Sequence, residues 1–192
     1  MIAIVKYNAG NIKSVQNALT RLGYESIITD NPTELLNADK VIFPGVGEAG
    51  FAMQYLKEKD LDKTIIGLKQ PVLGICLGLQ LMCRFTEEAN TDCLGIFDSV
   101  VRLFPPTDKI PHMGWNNFLT IKGELFNGIS LEDDVYYVHS YYAEISSCTS
   151  ATCDYILPFS ASMRAGNFYA TQFHPEKSAG IGEKILQNFM KL

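Results

Sequence analysis

Pro71-Val72-Leu73-Gly74-Ile75-Cys76-Leu77-Gly78-Leu79-Gln80 is the stretch on which the reading of this chain turns. Val72 to Ile75 is a short apolar run entered through a proline, the pattern of a buried strand. From Leu77 a second apolar run continues to Phe85 and reads as a helix. A strand that passes into a helix through Gly-x-Cys-x-Gly has the form of a nucleophile elbow with cysteine in place of serine. Such a turn holds its nucleophile in a strained backbone position. A glycine two residues to either side leaves room for the neighbouring strand and helix. At the helix N-terminus, unpaired N–H groups and the helix dipole favour a thiolate. The backbone N–H of Leu77 is then positioned to help hold an oxyanion.

On the N-terminal side of the elbow, short apolar runs alternate with amphipathic ones. Ile2 to Tyr7 reads as a strand, and Asn8-Ala9-Gly10-Asn11 as a polar turn. Ile12, Val15, Leu19 and Leu22 recur at helical spacing and stop at Gly23. A strand over Glu25–Thr29, a short helix opening at Asn31-Pro32-Thr33 and a strand over Lys40–Phe43 follow. That strand runs into Pro44-Gly45-Val46-Gly47, and a helix covers Phe51–Lys57. Strand–helix alternation predicts a parallel sheet with helices on both faces. After Arg84, strands are expected at Val100–Phe104, Asn116–Ile121, Val135–His139, Tyr142–Ile145, Ile156–Met163 and Asn167–Phe173. Their short connections add antiparallel or mixed strands. Ile181, Ile185, Phe189 and Met190 mark a closing helix. With no repeat, linker or low-complexity segment, the expectation is one α/β domain over residues 1–192.

Composition narrows the function. At 192 residues, 47% hydrophobic and 19% charged, the chain can build one proper core and is not disordered. Lys+Arg 16 against Asp+Glu 21 leaves a net charge of -5, which argues against a nucleic-acid partner. No apolar run is long enough to span a bilayer, and the first residues read as a strand, so no membrane association is expected. The 5 cysteines include no C-x-x-C pair, so neither a zinc site nor a disulfide framework is expected. No cofactor is implied, and a reducing, cytoplasmic compartment fits.

A thiolate doing acyl chemistry needs a base, and the base an orienting group. Of the 3 histidines, His174 ends the last expected strand, in Gln172-Phe173-His174-Pro175-Glu176-Lys177. In an extended segment His174 and Glu176 share a face, so the carboxylate can fix the imidazole tautomer. His112 and His139 read as structural or pocket-adjacent, and Cys83, Cys93, Cys148 and Cys153 as small buried hydrophobes. Cys83 falls inside the expected elbow helix. Pro44-Gly45-Val46-Gly47 lacks both the Walker lysine and the Rossmann spacing; beside Cys76 it reads as the rest of an oxyanion hole, with Val46 as a second donor.

The cysteine elbow, with Gln80, and His174-Pro175-Glu176 together resemble the class I glutamine amidotransferases. Within them, Pro44-Gly45-Val46-Gly47, Pro111-His112-Met113-Gly114-Trp115-Asn116, Val138-His139-Ser140-Tyr141 and His174-Pro175-Glu176-Lys177-Ser178 look like the glutaminase subunits of imidazole glycerol phosphate synthases. The likeness runs from the first strand to the last helix. It departs at Lys6-Tyr7, where many relatives carry an acidic residue before the tyrosine, and at Cys83-Arg84, where many carry Phe-Glu. The resemblance implies a flavodoxin-like sheet and a Cys76–His174–Glu176 triad that hydrolyses glutamine through a γ-glutamyl thioester. It also implies that Gln80 and Glu88 bind the glutamine, that Ser140 and Tyr141 contact it along their backbone, and that Gly47 lines the pocket. Arg84, Trp115 and Lys177 would face a partner. Since the glutaminase elements take up the whole chain, the ammonia must go to a second subunit, which the resemblance names as a (β/α)8-barrel cyclase in a histidine-biosynthetic heterodimer. Rival readings are the glutaminases of anthranilate, aminodeoxychorismate or pyridoxal phosphate synthesis, a cysteine peptidase of related fold, and a binding subunit with a decayed site. Val46 and the Trp115 segment speak against the first group, and the complete triad against the last.

Overall fold

Every residue of the first strand, β1 (Ile2–Val5), is buried, and its side chains divide between two cores. Ala3 and Val5 join one apolar cluster, Ile2 and Ile4 the other, as expected of a strand covered on both faces. The computed structural model describes residues 1–7 and 10–192, so Asn8 and Ala9 of the polar turn lie outside the described residues. After β1 come α1 (Ile12–Arg21), β2 (Ser26–Thr29), α2 (Pro32–Asn37), β3 (Lys40–Gly45), α3 (Ala49–Glu58), α4 (Leu61–Gly67), β4 (Val72–Cys76) and α5 (Leu77–Met82). The second half contains β5 (Cys83–Thr86), β6 (Thr91–Asp92), β7 (Phe97–Leu103), β8 (His112–Asn116) and β9 (Thr120–Ile121). It continues with β10 (Val135–His139), β11 (Tyr141–Ala143), β12 (Thr149–Tyr155), β13 (Leu157–Ala165), β14 (Phe168–Thr171) and α6 (Ala179–Met190).

The main sheet has eight strands in the order β2-β1-β3-β4-β14-β13-β12-β9. The strands from β2 to β14 run parallel. Those beyond β14 are antiparallel. Leu19 of α1 and Phe189 of α6 pack on one face; Leu35 of α2, Leu56 of α3 and Ile65 of α4 pack on the other. This is the expected α/β class with helices on both faces. A four-stranded sheet, β11-β7-β5-β6, and a β10–β8 pair complete the fold.

Local chemistry explains several boundaries. The Asn31 side chain accepts from the Thr33 N–H at 2.9 Å with Pro32 in the first turn, so α2 starts where its sequence says. The run Leu77–Phe85 reads as one helix, yet α5 ends at Met82 and Cys83 opens β5, which pairs with β7. Every residue of α5 is buried, so there is no polar face whose disappearance would mark the end. The strand expected over Asn116–Ile121 is displaced: β8 stops at Asn116, and only Thr120–Ile121 pairs with β12. Neither α4 nor β12 is anticipated by apolar periodicity.

Candidate active site

Cys76 ends β4 beside Gly45 of β3, at the carboxyl end of the parallel strands. Its backbone has φ 53 and ψ -105, a left-handed setting for a residue with a side chain. Strain of this kind costs on the order of 1–3 kcal/mol and persists only where the surroundings enforce it. A Cβ on Gly78 would stand 1.8 Å from the Phe43 carbonyl oxygen, and one on Gly74 would stand 2.9 Å from Met82 Sδ. The two glycines therefore let α5 lie directly on β3 and β4, as the elbow requires.

His174 leaves the neighbouring strand at the same end, since Thr171 of β14 pairs with Ile75 of β4. The contact between His174 and Glu176 is made differently from the expected extended segment. Pro175–Lys177 is a 3-10 turn that folds the carboxylate back onto the ring. His174 Nδ1 lies 2.7 Å from Glu176 Oε1. The carboxylate only accepts, so Nδ1 carries the hydrogen and Nε2 is the ring nitrogen left for Cys76. Ser178 binds this turn to β10: its hydroxyl donates to the His174 carbonyl at 2.6 Å and accepts from the Tyr136 N–H at 2.9 Å. Asn11, read from the sequence only as a turn residue, donates through Nδ2 to the same Glu176 oxygen and stands 3.4 Å from His174 Nδ1. Its one sequence signal is its position: it precedes α1 yet its side chain does not cap that helix, leaving it free to reach the carboxylate.

Burial pushes the His174 imidazolium down, but the Cys76 sulfur and Glu176 carboxylate outweigh it and raise the pKa to about 10. His174 Nε2 is buried with no hydrogen-bond partner among the described residues. The Cys76 sulfur has other neighbours: the Gln172 amide nitrogen at 3.6 Å and the Val138 carbonyl at 3.9 Å. The Cys76 sulfur thus acts on the imidazole by its proximity and charge, holding the proton on the ring.

A pocket of about 260 Å³ opens over the sulfur. Its wall includes Val46, Gly47, Leu77, Gln80, Glu88, Ser140 and Tyr141, so the structure brings every expected ligand and oxyanion residue together around Cys76. Pro111, Val138 and His139 also reach the wall. Gly47 adopts φ +144, which favours glycine, and the Val46 carbonyl accepts from the Gly10 N–H at 3.0 Å. Burial raises the Glu88 carboxyl, against the pull of the Ala49 N–H that donates to it at 2.9 Å.

The family model described as "Glutamine amidotransferase class-I" matches residues 3–192. The chain belongs to the class-I glutamine amidotransferase family. It is 58% identical over 194 residues to the "Imidazole glycerol phosphate synthase subunit HisH" of Bacteroides fragilis (strain YCH46), covering 100% of this chain and 99% of the relative. The protein of the same name from Vibrio cholerae serotype O1 is 43% identical, with 100% and 98% covered. A solved structure titled as a glutamine amidotransferase superposes with TM-score 0.75 at 16% identity, covering 100% of this chain and 98% of the other. The structure of PurLQS from Thermotoga maritima gives 0.70 at 16%, covering 99% and 97%. At such identities the likeness is one of fold.

Three other thiols of this amidotransferase are poor nucleophiles. Burial pushes Cys83 well up and Cys93 and Cys153 up to about 12. All five cysteines are free. Among the described residues no cluster of three or more His, Cys, Asp or Glu is spaced to hold a metal ion. His112 and His139 form a buried chain running back from the pocket wall. Nδ1 of His139 donates to the Tyr141 carbonyl at 2.7 Å, and its Nε2 accepts from Nδ1 of His112 at 3.1 Å. Trp115 and Met113 are exposed on β8, and Lys177 and Arg84 are also exposed, Arg84 with Asp98 at 3.1 Å.

Proposed function

We propose that this amidotransferase is the glutaminase subunit of an imidazole glycerol phosphate synthase, hydrolysing glutamine to glutamate and ammonia. What supports the reading most is a strained elbow cysteine opening into a pocket lined by Gln80 and Glu88, with an imidazole–carboxylate pair behind it. In this reading Cys76 Sγ attacks the side-chain amide carbon of glutamine. The N–H groups of Leu77 and Val46 take up the charge that develops on oxygen. His174 gives its Nε2 proton to the departing nitrogen, which leaves as ammonia, and a γ-glutamyl thioester remains. Water then gives a proton to Nε2 and attacks the thioester, expelling the sulfur and releasing glutamate. Glu176 keeps the proton on Nδ1 and orients the ring throughout. Glu88 faces the ammonium group of the substrate, Gln80 holds its polar end, Ser140 and Tyr141 contact it along their backbone, and Gly47 lines the pocket. No cofactor is required.

Ammonia released into neutral water becomes ammonium and loses its nucleophilicity, so the product needs a sheltered path to its acceptor. We assign that acceptor to a (β/α)8-barrel cyclase subunit. It would convert a phosphoribulosyl-formimino aminoimidazole carboxamide ribonucleotide into imidazole glycerol phosphate and an aminoimidazole carboxamide ribonucleotide, in the cytoplasm and as a heterodimer. Wasteful hydrolysis is avoided if the pair completes the site only together. A turn of the peptide before Val46, beside the permissive Gly47, would remove or supply one oxyanion donor, worth ~10²–10³ in rate. Ammonia release from glutamine should therefore rise at least about tenfold when cyclase subunit and its nucleotide are added. An isolated chain already at the full rate contradicts the switch, and no release under either condition contradicts the function.

A further inference from the structure

We propose that Gln172 is a positioning residue for the reacting sulfur, its amide polarity fixed by the Tyr141 carbonyl so that an N–H faces Cys76 Sγ. The inference rests on the reading of Cys76 as nucleophile. Gln172 is fully buried, and its backbone N–H is fixed on the Ala161 carbonyl at 2.8 Å. Its Nε2 lies 3.6 Å from Cys76 Sγ, and its Oε1 accepts from Gln80 Nε2 at 3.1 Å. Gln80 Nε2 also donates to the Tyr141 carbonyl, again at 3.1 Å.

An amide side chain can be turned over, exchanging its oxygen and nitrogen, and only its partners decide which way it points. Here one partner has no choice. A main-chain carbonyl only accepts, so the Gln80 end that meets Tyr141 is the NH2. The second hydrogen of that NH2 goes to Gln172, so the Gln172 atom facing it is oxygen. The remaining end of Gln172, aimed at the sulfur, is then a donor. Reversing Gln80 would set oxygen against the carbonyl oxygen of Tyr141, and reversing Gln172 alone would set NH2 against NH2. Two consequences follow. The sulfur meets a donor that is strengthened when it is a thiolate. Gln80, with both hydrogens engaged, presents Oε1 to the pocket as an acceptor for substrate N–H groups.

Iodoacetamide tests this, because the small uncharged electrophile needs the thiolate but no bound glutamine. Carboxamidomethylation of Cys76 is followed by peptide mass spectrometry at pH 7 in the full chain and in Gln172→Met and Gln172→Glu, with thermal melting as the check on folding. Gln172→Met removes both arms of the relay. Alkylation should slow about tenfold, the worth of a hydrogen bond to a charged group, and the KM for glutamine should rise as Gln80 loses its anchor. Gln172→Glu keeps an acceptor for Gln80, but a carboxyl is a stronger acid than a thiol, so a shared proton stays on sulfur. The introduced charge should itself slow alkylation, while KM stays near that of the wild type because Gln80 keeps its anchor; if Gln172→Met does not fold, a raised KM in folded Gln172→Glu overturns the proposal. A merely structural glutamine predicts the opposite sign in Gln172→Met, where a loosened site leaves alkylation unchanged or faster, and that result overturns the proposal. Wild-type protein that is alkylated at Cys76 yet releases no ammonia from glutamine defeats the glutaminase reading, while the alkylation rates still decide the relay.

Discussion

Lowering the pH from 7 to 5 should make this protein easier to unfold, through two imidazoles that the fold keeps neutral. Burial pushes His112 down to about 4. Burial pushes His139 to about 3, with His112 and His174 adding to the shift and the Tyr141 carbonyl opposing it. In the unfolded chain both titrate near 6.5, so below that pH the unfolded state binds protons that the native state refuses, and stability falls with pH. At pH 5 each histidine is worth up to about 2 kcal/mol, or about 4 kcal/mol for the pair, against the 5–15 kcal/mol that typically holds a domain together. His174 acts at the other end of the scale. Its pKa is raised to about 10, so its share is complete below 6.5 and is lost as the pH climbs toward 10. Glu88, raised by burial, favours the native state as the pH falls and opposes the histidine pair. Urea midpoints at pH 7 and 5, with a proton NMR titration of the folded imidazoles, provide the assay. The midpoint should drop, and neither buried ring should titrate above pH 5. A native-state titration near 6.5 for either ring, or a midpoint that does not move, would refute the reasoning.

Other outcomes follow from the elbow and the proposed triad. Gly78→Ala drives a methyl group into the Phe43 carbonyl, which a Cβ would approach to 1.8 Å, so α5 must lift off β3. Overpacking of that kind costs about 1–3 kcal/mol in a urea titration and should take most of the glutaminase activity with it; wild-type stability in the variant would mean the contact is soft. If His174 moves the proton and Glu176 orients it, as proposed, His174→Ala should cost several orders of magnitude in kcat and Glu176→Gln clearly less. Equal or reversed losses in steady-state assays would mean the roles are misassigned.

How much of this was legible in the sequence depended on what carried the signal. Strands covered on both faces are near-continuous apolar runs, so β1, β3 and β4 could be read with small errors at their ends. Gly74, Cys76 and Gly78 specified the elbow through steric demands that act within a few residues. β12 was hidden because Thr149, Ser150 and Thr152 give it no apolar signature. Their hydroxyls are satisfied by other strands: Thr149 with Ser160 at 2.8 Å, Ser150 with Ser162 at 2.9 Å and Thr152 with Thr120 at 2.7 Å. Strand alternation predicts the His174–Glu176 contact but not its geometry, since proline and the Ser178 hydrogen bonds make a 3-10 turn there. Asn11 meets Glu176, and Gln172 meets Gln80, from far apart in the chain, and no local spacing announces either contact.

The central claim is that Cys76 carries the acyl intermediate, and a glutamine analogue bearing an electrophile tests it most directly. Incubated with the complete chain and mapped by peptide mass spectrometry, it should add one label, on Cys76, in a reaction that excess glutamine suppresses. A label on Cys83, Cys93, Cys148 or Cys153, or none that glutamine protects against, would contradict the account.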